Sequence, residues 1–172
     1  EGEVVDDLLV EDEMTDFVHE VVVGFFIELF RVWARARGGL VAGSEARFAV
    51  APARGRKADL CIYFQGDPRP PARGIVTVPP AVVVEVVSPR PRDARRDRVD
   101  KIEEYANFGV RYYWIVDPQL RTLEVYERGA DGRYVRALSA TSGNLEQVPG
   151  CPDLAVDLDR LWAELDELEA PA

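Results

Sequence analysis

Asp59 and Glu85 are the residues of this chain whose type and setting most invite chemistry. Each is a carboxylate in an apolar stretch, Asp59 near the head of Ala58–Phe64 (ADLCIYF) and Glu85 in the middle of Ala81–Ser88 (AVVVEVVS). Stiff β-branched valines bounded by Pro79-Pro80 and Pro89 predict a central strand buried on both faces. An ionised carboxylate in such a strand is strongly disfavoured unless a cation, a metal or several donors meet it. Glu85 therefore reads as an acid paired with an internal arginine, as one near the strand end that reaches solvent, or as a metal ligand. The two acids are 26 positions apart, and if their strands are neighbours both can reach one ion. Mg²⁺ (or Mn²⁺) is hard and commonly takes one or two carboxylates, waters and a substrate phosphate. The carbonyl of Val86 is a natural further ligand. A nearby lysine could orient or deprotonate an attacking water and offset charge on phosphorus, and metal-assisted phosphodiester hydrolysis needs little more.

These residues must be carried by elements, and the chain offers them in the order α-β-β-β-α-β-β-β-α, which predicts an α/β (α+β) domain with a mixed central sheet flanked by helices. Residues 1–13 read as an acidic N-terminal arm or short strand. Thr15 or Asp16 caps a helix that runs to about Arg37, stopped by Gly38-Gly39. Its apolar residues cover more than one face, so it is expected to be buried against the sheet and against a second subunit. Val41–Ala51 alternates like a half-exposed strand, and Arg54–Lys57 reads as a basic turn. Gly66–Pro80 is a Pro/Gly-rich loop. Beyond the valine strand come an Arg-rich stretch, a helix over Lys101–Asn107 ended by Gly109, and a core strand at Tyr112–Asp117. A hairpin is expected from Leu123–Glu127 and Tyr134–Leu138, then a short strand at Ala155–Leu158 and an acidic helix at Asp159–Leu168. One domain over 1–172 is expected.

His19 is the only histidine and there are two cysteines, Cys61 and Cys151, so a zinc centre, a His-based triad and a disulfide framework are all disfavoured. The apolar run Val21–Ile27 is far short of a membrane span. The acidic N-terminus lacks the basic start of a secretory leader, and a cytoplasmic protein is expected. The formal net charge is −10, yet it is unevenly spread. Residues 1–28 hold ten acids and no Lys or Arg, residues 144–172 eight acids and one Arg, and residues 29–143 thirteen acids against twenty bases. A polyanionic partner is compatible with that middle segment.

The segments AD at 58–59, VVVEVVSP at 82–89, DRVDKIEEYANFGV at 97–110 and YYWIVDP at 112–118 together resemble the Uma-two family of restriction endonucleases, within the PD-(D/E)XK nuclease superfamily. The resemblance covers about residues 15–165. It implies a restriction-endonuclease-like core, Mg²⁺-dependent cleavage of DNA and a homodimer. It also implies that Asp59 is the motif aspartate and Glu85 the motif (D/E). Ala58 stands where the pattern has Pro, and Val87 stands two after Glu85 where the pattern has Lys. The resemblance nominates Lys101, on the following helix, as the displaced lysine, with Asp97 and Tyr105 on the same helical face. His19 or Glu20 resembles the polar residue that the superfamily's first helix brings to the metal edge. Taken alone, Lys101 reads first as a solvated lysine paired with Asp97, and His19 and Glu20 as satisfied polar residues at a helix edge. Arg90, Arg92, Arg95, Arg96 and Arg98 read as a solvated face, or as contacts to a phosphate backbone running past the metal.

The resulting expectation is a Mg²⁺-dependent DNA endonuclease with Asp59, Glu85 and Lys101 as its catalytic set and Asp59, Glu85 and Val86 on the metal. Two other readings stay open: a catalytically weak or inactive nuclease-fold dimer that binds DNA or protein, and a nuclease acting on RNA or a branched structure.

Overall fold

A computed structural model describes residues 2–5, 8–11, 16–44, 46–89 and 96–170. The valine stretch forms strand β7 (Val82–Val86), buried along its whole length. Val82, Val84 and Val86 enter one apolar cluster and Val83 and Val87 the other, so the strand separates two cores. It lies inside a six-stranded sheet of order β10-β9-β8-β7-β6-β3. The other strands are β3 (Leu40–Gly43), β6 (Leu60–Tyr63), β8 (Tyr112–Asp117), β9 (Thr122–Arg128) and β10 (Tyr134–Ala140). β7 and β8 are parallel and the remaining neighbours antiparallel. The sheet is therefore mixed, as the pattern predicts.

Helix α1 (Phe17–Arg35) covers one face, capped by the Asp16 carboxylate accepting from the His19 N–H at 2.9 Å. It ends two residues earlier than predicted, in a turn completed by Gly38 at φ 67°. Its Phe26 and Phe30 pack edge-on against Trp114 of β8. The C-terminal helix (Leu158–Glu169) adds Leu161, Trp162 and Leu165 to the same core.

The opposite face carries the helix over Lys101–Phe108, here α2, and a second sheet of order β2-β1-β5-β4. Its strands are β1 (Gly2–Val5), β2 (Leu8–Glu11), β4 (Arg47–Ala51) and β5 (Arg54–Lys57). Two expectations are corrected by it. Val41–Ala51 is two strands, β3 and β4, belonging to different sheets, because the chain leaves the central sheet after Gly43. Arg54–Lys57 is a strand and not a turn; the turn lies at Pro52-Ala53, where Ala53 has φ 58°. Alternation then buries Arg56 rather than leaving it in water. The acidic arm is the hairpin β1–β2 docked along β5. Two short strands, β11 (Asn144–Leu145) and β12 (Val156–Asp157), pair near the C-terminus. No helix among the described residues is long and apolar enough to cross a membrane.

Candidate active site

Strand register brings the two nominated acids together. β6 and β7 pair antiparallel with Leu60 opposite Val84, so Asp59, one residue before the strand, falls opposite Glu85. Side chains so related stand with Cβ atoms about 4.5–5.5 Å apart. Asp59 accepts a hydrogen bond from the Val86 N–H at Oδ2, 2.8 Å away. That side-chain bond lies just beyond the last paired residues of β6 and β7 and ties the first acid to the residue next to the second. The Asp59 side chain keeps 18% of its surface exposed.

Glu85 is enclosed, at 2% exposure. Lys101 Nζ donates to its Oε2 at 3.0 Å and the Tyr105 hydroxyl to its Oε1 at 2.8 Å. Lys101 and Tyr105 sit one turn apart on α2 and are both buried, at 3% and 0%. The reading of Lys101 as a solvated lysine is thus not what the fold contains: its ammonium is the internal cation that Glu85 requires. Gly109, at φ 104°, closes α2 through its N–H to the carbonyls of Tyr105 and Ala106.

His19 reaches the site from α1. It is 3% exposed, and its Nε2 lies 3.3 Å from Asp59 Oδ2. Its Nδ1 is buried, makes no hydrogen bond, and approaches Glu20 Oε1 at 3.4 Å. Burial pulls the imidazole pKa down, but the hydrogen bond and charge of Asp59, aided by Glu20, outweigh it and hold the pKa above the ordinary histidine value. Glu20 itself is exposed.

Of the predicted arginines, Arg98 lies within the described side chains. It turns inward, donating to Glu124 and, at 3.2 Å, to Asp117 Oδ2. Two carboxylates already occupy its guanidinium, so a phosphate would compete with them. Arg90, Arg92 and Arg95 lie outside the described residues. Arg96 and Asp97 begin a π-helical turn, Arg96–Asp100, and their side chains also lie outside what is described.

Sequence reasoning missed the supports of this cluster. Arg56 of β5 grips Glu104 of α2 with Nε at 2.5 Å and Nη2 at 3.0 Å, and Arg54 adds a contact at 2.6 Å. Burial would raise the Glu104 pKa, but the two guanidiniums hold it below the ordinary glutamate range. Glu124, paired with Arg98 and with Arg136 at 3.0 Å, is the other buried acid on the rung, since Glu85, Ile115 and Glu124 are successive partners across the sheet. Nothing in the local sequence singles out Glu104 or Glu124; their partners come from strands far along the chain.

The donor set suits a hard cation with few protein ligands. Asp59 and Glu85 would offer oxygens, with Val86 next to Glu85 along the strand, and no group of three His, Cys, Asp or Glu among the described residues could hold an ion. Mg²⁺ tolerates such a set because it keeps several waters.

Residues 2–161 match the family described as “Uma2: Putative restriction endonuclease”. Among solved structures, the chain is similar to “a putative nuclease belonging to DUF820 from Anabaena variabilis ATCC 29413”, with TM-score 0.72 and 14% identity over 95% of this chain and 90% of that one. At that identity the likeness is one of fold. No curated protein matches the chain.

Proposed function

The chain belongs to the Uma2 family, and on that premise we propose that it is a metal-dependent endonuclease hydrolysing DNA phosphodiester bonds. The observation that carries the reading is the cross-strand pair Asp59 and Glu85 with a buried lysine already seated on the second acid. Asp59, Glu85 and the Val86 carbonyl would hold Mg²⁺ or Mn²⁺, which when bound lowers the pKa of its water and draws charge from a phosphoryl oxygen.

The residues of the chain have separable tasks. Val86 N–H and His19 both meet Asp59 at Oδ2 and so fix its carboxylate, which would hold the ion. Tyr105 fixes Glu85 by Oε1, setting the carboxylate's orientation before substrate arrives. Lys101 neutralises Glu85 at rest, and its ammonium would orient the attacking water or a phosphate oxygen as charge develops on phosphorus. Hydrolysis adds water across one P–O ester bond, leaving a phosphomonoester end and a hydroxyl end. The burial of Lys101 and Tyr105 keeps these contacts short of competing water, where electrostatic interactions are strongest.

Purified protein incubated with supercoiled plasmid in Mn²⁺ tests this. Nicking that vanishes in EDTA and in Asp59→Ala is the expected result; equal nicking by wild type and variant would dismiss the enzyme. A second reading, a nuclease-fold protein that binds without cutting, is favoured by one observation: both Glu85 oxygens are already satisfied by protein. Retention of plasmid without nicking, in any divalent ion, would select it. A homodimer would bring two such sites to opposite strands, which sedimentation equilibrium would reveal.

A further inference from the structure

A cleft of about 490 Å³ opens between β3, β4, β6 and the 70–76 segment. Phe48 and Cys61 form its floor, both 1% exposed, and Ile75 stands at its mouth, 63% exposed. Burial pushes the Cys61 thiol up to about 12, so it contributes an apolar surface and no nucleophile. The cleft adjoins the carboxylate pair along one strand: Cys61 follows Asp59 by two residues, about 6.8 Å of extended chain on the same side of the sheet.

Among the described residues, the charge on its lining is of one sign. The chain has 31 acids and a formal net charge of −10, yet the described residues lining this cleft include no acid and two arginines, Arg47 and Arg73. Most described arginines near a carboxylate are spent on it, as with Arg37, Arg56, Arg98 and Arg111. Arg47 and Arg73 are exposed and have no side-chain hydrogen bond or ion pair among the described residues. Two unspent guanidiniums over an apolar floor call for an occupant with an anionic edge and a flat apolar body. Ligand cavities of roughly 300–1,000 Å³ enclose one small molecule, and this one is suited to a single nucleotide rather than a base pair.

We propose that the cleft binds one unpaired nucleotide of the substrate strand, its phosphate on Arg47 and Arg73 and its base over Phe48 and Ile75, beside the phosphodiester to be cut. The proposal rests on the nuclease reading and deepens it, making the substrate class a single strand, a flap or a flipped base. A paired base cannot enter, because its Watson–Crick edge is engaged and its stacking neighbours would have to follow. Apolar contact and backbone charge together give the sequence-tolerant binding typical of single-strand sites.

The test uses a short fluorescein-labelled oligonucleotide, as single strand and as blunt duplex, with the full chain in EDTA so that nothing is cut. Fluorescence anisotropy should show the single strand bound at least about tenfold more tightly than the duplex. The double variant Arg47→Ala/Arg73→Ala should weaken single-strand binding by about tenfold or more. It should also reduce the slope of log affinity against log salt by about 1.4, the release expected for two phosphate contacts on a single strand. Arg35→Ala, on α1 across the sheet, should leave both unchanged. Equal affinity and slope in the double variant, or preference for duplex, overturns the proposal. Cleavage of the same labelled single strand by these proteins in Mn²⁺ separates the two readings. Cleft-dependent strand binding without cleavage sinks the nuclease alone, and cleavage with cleft-independent binding sinks this site alone.

Discussion

Arg56 of the small sheet and Glu104 of α2 form a buried two-point ion pair, with Nε 2.5 Å and Nη2 3.0 Å from the two carboxylate oxygens. Glu104 lies three residues after Lys101 and one before Tyr105, so this pair anchors the helix that serves Glu85. Arg56→Met should leave Glu104 buried with Arg54 alone. Breaking such pairs typically destabilises by about 3–5 kcal/mol, and urea unfolding should show a loss at the lower end of that range. A loss below about 1 kcal/mol would mean that the small sheet does not anchor α2.

Glu104 also sets an acid limit. Its folded pKa is held below the ordinary value of 4.5 by Arg56 and Arg54. The folded state therefore gains from ionisation, fully above about pH 4.5, and loses that gain as pH falls from there through the depressed folded value. Glu124, lowered by Arg98 and Arg136 against its own burial, acts in the same direction. Thermal melts between pH 7 and pH 3 should show stability falling over this window, and Glu104→Gln should flatten the curve while lowering its neutral plateau. An unchanged pH slope in the variant would contradict the assignment.

Lys101→Met tests the seat on Glu85. The substitution removes the cation 3.0 Å from one oxygen of a carboxylate that is 2% exposed, while the Tyr105 hydroxyl stays on the other oxygen. Plasmid nicking should fall about 10²–10⁴-fold, the usual worth of a positioned proton-handling group. Glu85→Gln in the same background should restore part of the lost stability but none of the nicking. Recovery of both, or of neither, would argue against separate structural and chemical tasks for this lysine.

Divalent ion should stabilise the wild type. At about a hundred times the dissociation constant, Mn²⁺ adds about 2.7 kcal/mol, or about 5–10 °C for a domain of this size. Asp59→Asn should abolish most of that shift without lowering the metal-free melting temperature by much, because its side chain is partly exposed. An equal shift in both proteins would move the ion elsewhere.

Gly150 offers a test away from the site. It has φ 73°, and a Cβ there would stand 2.2 Å from the Tyr112 ring. Gly150→Ala should cost about 2–4 kcal/mol, from overpacking and left-handed backbone strain together. Adding Tyr112→Ala should relieve the overpacking and leave the backbone share, and a double-mutant cycle in urea would separate them.

Much of this was legible in the residues. The valine strand, the capped first helix, YYWIVD and the Asp131-Gly132 hairpin each carry their own local signal, and each forms. Asp59 and Glu85 were legible as a pair because acids in apolar strands stand out. What stayed hidden depends on partners distant in the chain. Arg54–Lys57 looks like a turn until Glu104, 48 residues on, gives Arg56 a reason to be buried. Val41–Ala51 looks like one strand because alternation does not record a change of sheet. Arg98 looks like a surface cation because the helix pattern cannot reveal Glu124 two strands away from Glu85.

The parallel run of β7 and β8 obliges the chain to vault from one end of the sheet to the other, and the vault is built from α2. An amine mounted on that arch descends over Glu85 whatever residue occupies position 87. Val87 is thereby free to be hydrocarbon, sealed against Phe48 and Ile115 in the second core. The crossover and the lysine seated on Glu85 are the same piece of chain, so a deletion that shortened the arch would unmake the parallel pairing and strip the carboxylate of its cation in one stroke.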